Sequence, residues 1–288
     1  MKAAAGAIRV FQALASTGWR GRATAAIFSG LLRLIRPRRE RIDANLRLVY
    51  PERDGEWRRD FRARVYENLA WTLTEILALQ RDPAQAMDWV TDVEGRQPLE
   101  ELFNDERGAI LLTGHFGNWE LLGAWYAGCL AERGRQLHVV YQEIHDRDIS
   151  NILREFRERC GMAVLPKSAS TLEMVRMLKG GAHIAILADV SWMGDALMLP
   201  FMGCECTNSP GPAILSMLAS VPIVPIAACR QAPFQHRVRL FSPISVPAKG
   251  NRQERLTQTT LAINHALEEI IQERPDLWFW LHNRWKRY

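Results

Sequence analysis

From about residue 90 onward, short apolar runs take turns with helix-like segments, and few architectures accept that order. GAILLTGH is followed by NWELLGAWYAGCLAERG, QLHVVYQE by ISNILREFRERCG, and MAVLPK by STLEMVRMLKGG. HIAILADV, ALMLPFMG, GPAILSMLAS, PIVPIAACR and HRVRLFSPI then lead to a long final helix over RQERLTQTTLAINHALEEIIQER. The alternation predicts an α/β fold, a central mostly parallel sheet flanked by helices. Runs such as AILL and IAIL are apolar at every position and read as strands buried on both faces.

Upstream of residue 90 the chain reads as helix. RRERIDANLRLVYPERDGEW holds a short helix ending at Pro51, and residues 57–80 place Phe61, Val65, Leu69, Leu73, Ile76 and Leu77 at amphipathic helix spacing. With 288 residues there is enough chain to bury a core, and 48% apolar with 24% charged residues excludes a disordered or collagen-like chain. No repeat or linker divides the sequence, so residues 37–288 are expected to form one α/β domain with a helical N-terminal part.

The charge is unevenly placed. Residues 1–64 carry 15 basic and 6 acidic side chains, whereas residues 65–288 carry 22 and 26. Within residues 1–36 there are six basic side chains and no acidic one, and apolar positions recur at Ile27, Leu31 and Ile35 and at Phe28 and Leu32. No apolar run approaches the ~20 residues that span a bilayer. The segment therefore reads as a basic amphipathic element associating with an anionic membrane surface. A packed helix with a solvated basic face is the alternative. No recognition motif accompanies the arginines, so nucleic acid is not an expected partner.

Five cysteines (Cys129, Cys160, Cys204, Cys206, Cys229) are too few and odd in number for a disulfide framework. Reduced thiols suit the cytoplasmic side of a membrane. Cys204 and Cys206 form a Cys-x-Cys with no second pair at zinc spacing, so no metal site is expected.

GAILLTGHFGNWELLGAW is the stretch richest in chemistry. His115 follows a strand's carboxyl end, the usual ligand edge of such a sheet. Asn118 is placed to cap the next helix and is a candidate substrate-binding residue, while Glu120 falls in that helix's first turn. A sharp turn can bring the Glu120 carboxylate to one imidazole nitrogen of His115, leaving the other to take a proton from a hydroxyl. The alternative is a structural His with a Glu that merely favours the helix dipole. Asp189 ends the strand HIAILAD and is either a helper carboxylate or a turn-forming Asp. Arg157, within REFRERCG, reads by itself as a solvated helix residue, and Lys167 precedes a helix N-terminus where it can meet an anion. The tryptophans of LWFWLHNRW read as core or interfacial anchors. A Gly-x-Ser-x-Gly elbow, a Gly-x4-Gly-Lys loop and a His-Glu-x-x-His helix are all absent from the sequence.

With these residues in view, the chain resembles the bacterial lipid A late acyltransferases, the lauroyl/myristoyl transferase group of the glycerolipid and lysophospholipid acyltransferase superfamily. The superfamily's His-x4-Asp/Glu mark is matched by His115 and Glu120. RRERIDANLRLVYPE, REFRERCG, MLKGGAHIAILAD, LPFMGCECT and RPDLWFWLHNRWK are similar to further family segments, in order, over roughly residues 38–287. The resemblance implies His115 as general base and Glu120 as its orienting partner, with Arg157 and Asp189 in support and a membrane-facing groove for acyl chains. It implies transfer of a fatty acyl group from acyl carrier protein or acyl-CoA to a lipid hydroxyl at the cytoplasmic face of the inner membrane, with no cofactor beyond that co-substrate. Gln142, Val190 and Met202 depart from the family's usual Arg, Gln and Phe. Gln cannot replace a bidentate Arg contact to an anion, which widens the acceptor to another glycolipid, a lysophospholipid or an aminolipid. A non-catalytic lipid- or carrier-binding protein on the same fold is the alternative reading.

Overall fold

The computed structural model describes residues 17–141, 147–166 and 168–286. It opens with helices α1 (Trp19–Ile35), α2 (Arg39–Val49) and α3 (Gly55–Leu79). Helix α3 starts where the Asp54 side chain accepts the Trp57 N–H at 2.7 Å, satisfying a donor that the helix itself leaves unpaired. A short α4 (Gln85–Trp89), strand β1 (Val90–Glu94) and α5 (Arg96–Asn104) follow. The alternating part runs β2 (Ala109–Thr113), α6 (Trp119–Ala131), β3 (Leu137–Tyr141), α7 (Arg147–Arg159), β4 (Met162–Pro166), α8 (Thr171–Lys179) and β5 (His183–Leu187). A hairpin of β6 (Leu197–Phe201) and β7 (Cys204–Asn208), then α9 (Gly211–Ala219), β8 (Ile223–Ala232), β9 (Gln235–Leu240) and α10 (Arg252–Glu273), complete it. The hairpin turns on Met202 and Gly203, both at positive φ, which matches strand twist in a two-residue turn.

Among the described residues the main sheet has seven strands in the order β1-β9-β8-β2-β5-β3-β4. Every pairing is parallel except β8 with β9, so the expected mostly parallel sheet is what forms. Strand β2 lies at its centre and is buried along its whole length. Ile110 and Leu112 enter the core cluster on one face, with α9, α10 and Trp278, while Ala109 and Leu111 enter the other, with α6. A strand sandwiched this way has no solvated face, which is why AILL carries no polar residue.

Two expectations change. Helix α3 does not bury a single apolar stripe: Leu73 is exposed, whereas Thr72, Thr74 and Glu75 are buried. The helix touches α1 on one side and the Pro275–Leu277 turn and α6 on others, so its interior positions include polar ones that find partners there. Strand β1 escaped the pattern because VTDVE is an edge strand with two apolar residues, held by β9 alone. All five cysteines are free, and no group of three or more metal-ligating side chains occurs among the described residues.

Candidate active site

The crossover from β2 to α6 positions the site. Gly117 has φ +57°, and a Cβ there would fall 2.0 Å from the Ala228 carbonyl oxygen, so only glycine makes this turn. Thr72 Oγ1 donates to the Gly117 carbonyl at 3.0 Å, and the Gly117 N–H donates to the Leu277 carbonyl at 2.9 Å. The Phe279 N–H donates to the His115 carbonyl at 2.9 Å. The turn bearing His115 is therefore gripped by α3 on one side and by the chain's closing segment on the other.

The carboxylate on the His115 ring belongs to Asp189, not Glu120. Asp189 Oδ1 lies 2.9 Å from His115 Nδ1, and its Oδ2 accepts the His115 backbone N–H at 2.7 Å and the Trp278 indole N–H at 2.8 Å. Burial alone would raise the Asp189 pKa, but the His115 charge and these donors hold it down at about 2. An ionised carboxylate only accepts, so Nδ1 of His115 carries the proton and Nε2 is left as the free base. Burial disfavours charging the His115 ring, yet the Asp189 charge and hydrogen bond, with a smaller contribution from Glu120, leave its pKa above the ordinary 6.5.

Glu120 is occupied elsewhere. Both its oxygens accept from Arg157, with Nε to Oε2 at 3.0 Å and Nη2 to Oε1, a bidentate pair in which both side chains are mostly buried. Burial works against the Arg157 charge, but Glu120 raises its pKa all the same. The guanidinium also lies 5.1 Å from the Tyr141 ring centre. Arg157, read alone as a solvated helix residue, is thus an inward-facing one.

Asn118 caps α6 as expected, accepting the Leu121 N–H at 3.0 Å, but its amide donates to Glu75 at 2.9 Å and the side chain is fully buried. It shapes the turn and has no face left for substrate. Lys167 lies outside the described residues.

An apolar pocket opens beside these groups, between α6 and the sheet. Trp119, Glu120 and Arg157 line it together with the apolar Leu111, Tyr126 and Leu137. The space between its walls not filled by protein atoms, open solvent included, is about 510 Å³.

The sequence reading missed a buried polar cluster behind the turn. Glu75, fully buried, accepts from Arg230 at 2.9 and 2.8 Å and from Asn118, and lies 3.2 Å from His236 Nε2. Burial opposes its ionisation, but Arg230 and then His236 hold the carboxyl well below the usual range. Arg230 reaches on to Thr72 Oγ1 at 2.9 Å and to Asn68, whose amide donates to the Leu277 carbonyl at 3.1 Å. The available signal was a lone carboxylate within the apolar LTEILAL; nothing local named its partners.

A family profile described as bacterial lipid A biosynthesis acyltransferase matches residues 8–287. The chain is 24% identical over 245 residues to the lipid A biosynthesis palmitoleoyltransferase of Escherichia coli (strain K12), covering 84% of this chain and 76% of that one. It is 25% identical over 260 residues to the lipid A biosynthesis lauroyltransferase of the same organism, covering 88% and 81%. It is also 26% identical over 125 residues to the phosphatidylinositol mannoside acyltransferase of Mycolicibacterium smegmatis (strain ATCC 700084 / mc(2)155), covering 42% and 40%.

Proposed function

The chain belongs to the bacterial lipid A biosynthesis acyltransferase family and is an acyltransferase, and on that premise we propose that His115 is its general base, with Asp189 orienting the ring. The observation that carries this reading is the Asp189 carboxylate on Nδ1, which leaves an unprotonated Nε2 at the sheet's ligand edge. An acceptor hydroxyl gives its proton to Nε2 while its oxygen bonds to the carbonyl carbon of a fatty acyl thioester. The C–S bond then breaks, and the leaving thiolate takes the proton from His115. The apolar pocket suits the acyl chain, and the Arg157–Glu120 pair in its lining offers charged groups to the reacting end.

The acceptor is a glycolipid or lysolipid hydroxyl, and the donor an acyl thioester of carrier protein or CoA. No described helix is long and apolar enough to cross a membrane. Helix α1 instead presents Trp19, Ile27, Leu31, Leu34 and Ile35 to solvent beside Arg20, Arg22, Arg33 and Arg36. That combination supports docking in the headgroup region of the anionic cytoplasmic leaflet of the inner membrane. The basic N-terminal region, residues 1–64, also suits an acidic carrier protein.

The test is a mass-spectrometric comparison of membrane lipids from cells carrying the wild type, His115→Ala or no copy. A lipid that gains one acyl chain with the wild type alone supports the proposal and identifies acceptor and chain together. Three identical lipidomes, with folded protein present, would overturn it.

A further inference from the structure

His282 belongs to the closing LWFWLHNRW segment, which the reaction above leaves unused. Its Nε2 faces a backbone N–H: the Ser191 amide donates to it at 3.1 Å. A backbone amide has only a proton to give, so Nε2 is the unprotonated acceptor and the neutral ring carries its proton on Nδ1. Protonating Nε2 would set two donors against each other. Burial first, and then His115, Arg284 and Arg41, lower the His282 pKa despite Asp189. The ring is thus a neutral group of fixed tautomer.

Its place is held from both ends. Asn45, on α2, donates to the carbonyls of Trp280 at 2.9 Å and His282 at 2.8 Å. The His282 N–H donates to the carbonyl of Phe279, whose own N–H bonds the His115 carbonyl. Ser191 is two residues beyond Asp189, so the carboxylate that orients His115 and the amide that orients His282 share one short segment. The Nδ1 atom has no hydrogen-bond partner among the described residues, and it is not one of the buried polar atoms lacking one. A donor with a set direction, without a partner among the described residues and carried on the segment that joins the Asp189 loop to the His115 turn, is what an oxygen gathering negative charge requires.

We propose that His282 is a second histidine of the active site, donating from Nδ1–H to the thioester carbonyl oxygen as the acceptor hydroxyl attacks and that oxygen becomes negative. The inference rests on the acyl-transfer reading above. In the step, the hydroxyl oxygen bonds to the carbonyl carbon, the carbonyl π pair moves onto oxygen, and the hydroxyl proton passes to His115. When the pair returns, the C–S bond breaks and the thiolate leaves. His282 neither gains nor loses a proton.

The two amide substitutions separate this role from a structural one. The Asn side chain sets an N–H where Nδ1 stood and does not reach Ser191, whereas Gln can accept from Ser191 and has no donor at the Nδ1 place. The full-length protein is assayed for thiol release from lauroyl thioesters of CoA and of carrier protein, in separate arms, with vesicles of total bacterial lipid. His282→Gln is expected to lower kcat by roughly 10²–10³-fold with KM within about twofold and an unchanged melting temperature, the size seen when one oxyanion donor is removed. His282→Asn is expected to keep kcat within about tenfold of the wild type. Wild-type kcat in His282→Gln, the reverse order of the two variants, or a change confined to KM would each overturn the assignment. His115→Ala is run alongside. An active wild type with a dead His115→Ala and an indifferent His282→Gln sinks only this inference, whereas a wild type no faster than His115→Ala sinks both.

Discussion

His115 and Asp189 stand side by side because β2 and β5 are paired in parallel register: Thr113 lies opposite Leu187, and each strand runs two residues further to reach one of the pair. The pair is separated by 74 positions in sequence and by 2.9 Å in space. Asp189 binds both the ring and the main chain of His115, so one carboxylate fixes where the imidazole sits and which nitrogen carries the proton. Trp278, which the sequence marks as a core or interfacial anchor, is buried and supplies a third donor to it.

Asp189→Asn tests this directly. As the proposed base, His115 acts only when neutral, and its pKa is raised above 6.5, so activity should climb with pH through a midpoint above 6.5. Removing the Asp189 charge leaves burial dominant, which disfavours the imidazolium. The acid limb of kcat/KM against pH should move below its wild-type position, while the maximum rate falls by roughly 10²–10⁴-fold through the loss of orientation and tautomer.

The Glu120–Arg157 pair predicts an unequal result for single and double variants. Glu120→Gln leaves a mostly buried guanidinium without its countercharge and should destabilise the fold by about 2–4 kcal/mol in urea unfolding. Glu120→Leu combined with Arg157→Met should recover much of that stability, because no uncompensated charge remains. Activity should stay low in both. A double variant less stable than either single would contradict the account.

Behind the turn, Glu75 is the joint between α3, Asn118 and Arg230. Glu75→Gln should lower the unfolding free energy by about 3–5 kcal/mol, since Arg230 and His236 stay buried with one acceptor fewer. The same substitution should slow turnover even well below the melting temperature, because Asn118 and Gly117 lose the scaffold that sets the His115 turn. Thermal unfolding and low-temperature kinetics measure the two effects separately.

Pocket shape should set acyl preference. A Cβ on Gly123 would come 2.8 Å from Met162 Sδ, so Gly123→Ala pushes a flexible side chain into the pocket and Gly123→Val narrows it further. Competition between acyl donors of different length should then favour the shorter chain, by roughly 10–200-fold per lost methylene site. An unchanged product profile would place the acyl chain elsewhere.

Much of this molecule is legible one segment at a time. The order of elements, the two-sided burial of β2, the cap at Asn118 and the edge position of His115 follow from local pattern, because hydrophobic periodicity and turn chemistry act over a few residues. That Glu120, Arg157 and Asp189 gather near His115 was also readable, since their segments resemble those of one family. Their pairing was not. Glu120 is five residues from His115 and goes to Arg157, while Asp189 lies 74 residues away and takes the imidazole. Local spacing favours the nearer carboxylate, but the register of β2 against β5 brings the distant one opposite.

The same division holds for the whole protein. Sequence by itself determined that the strand–helix alternation would build an α/β fold with a basic helical lead and a histidine at the sheet edge, and its resemblance to one family pointed to acyl transfer. Only the tertiary structure decided which carboxylate serves that histidine, that Glu75 and Arg230 lie paired beneath it, and that the closing segment returns His282 to the Asp189 loop. Those contacts join residues far apart along the chain, and their partners are chosen by strand order and register, which no local pattern records.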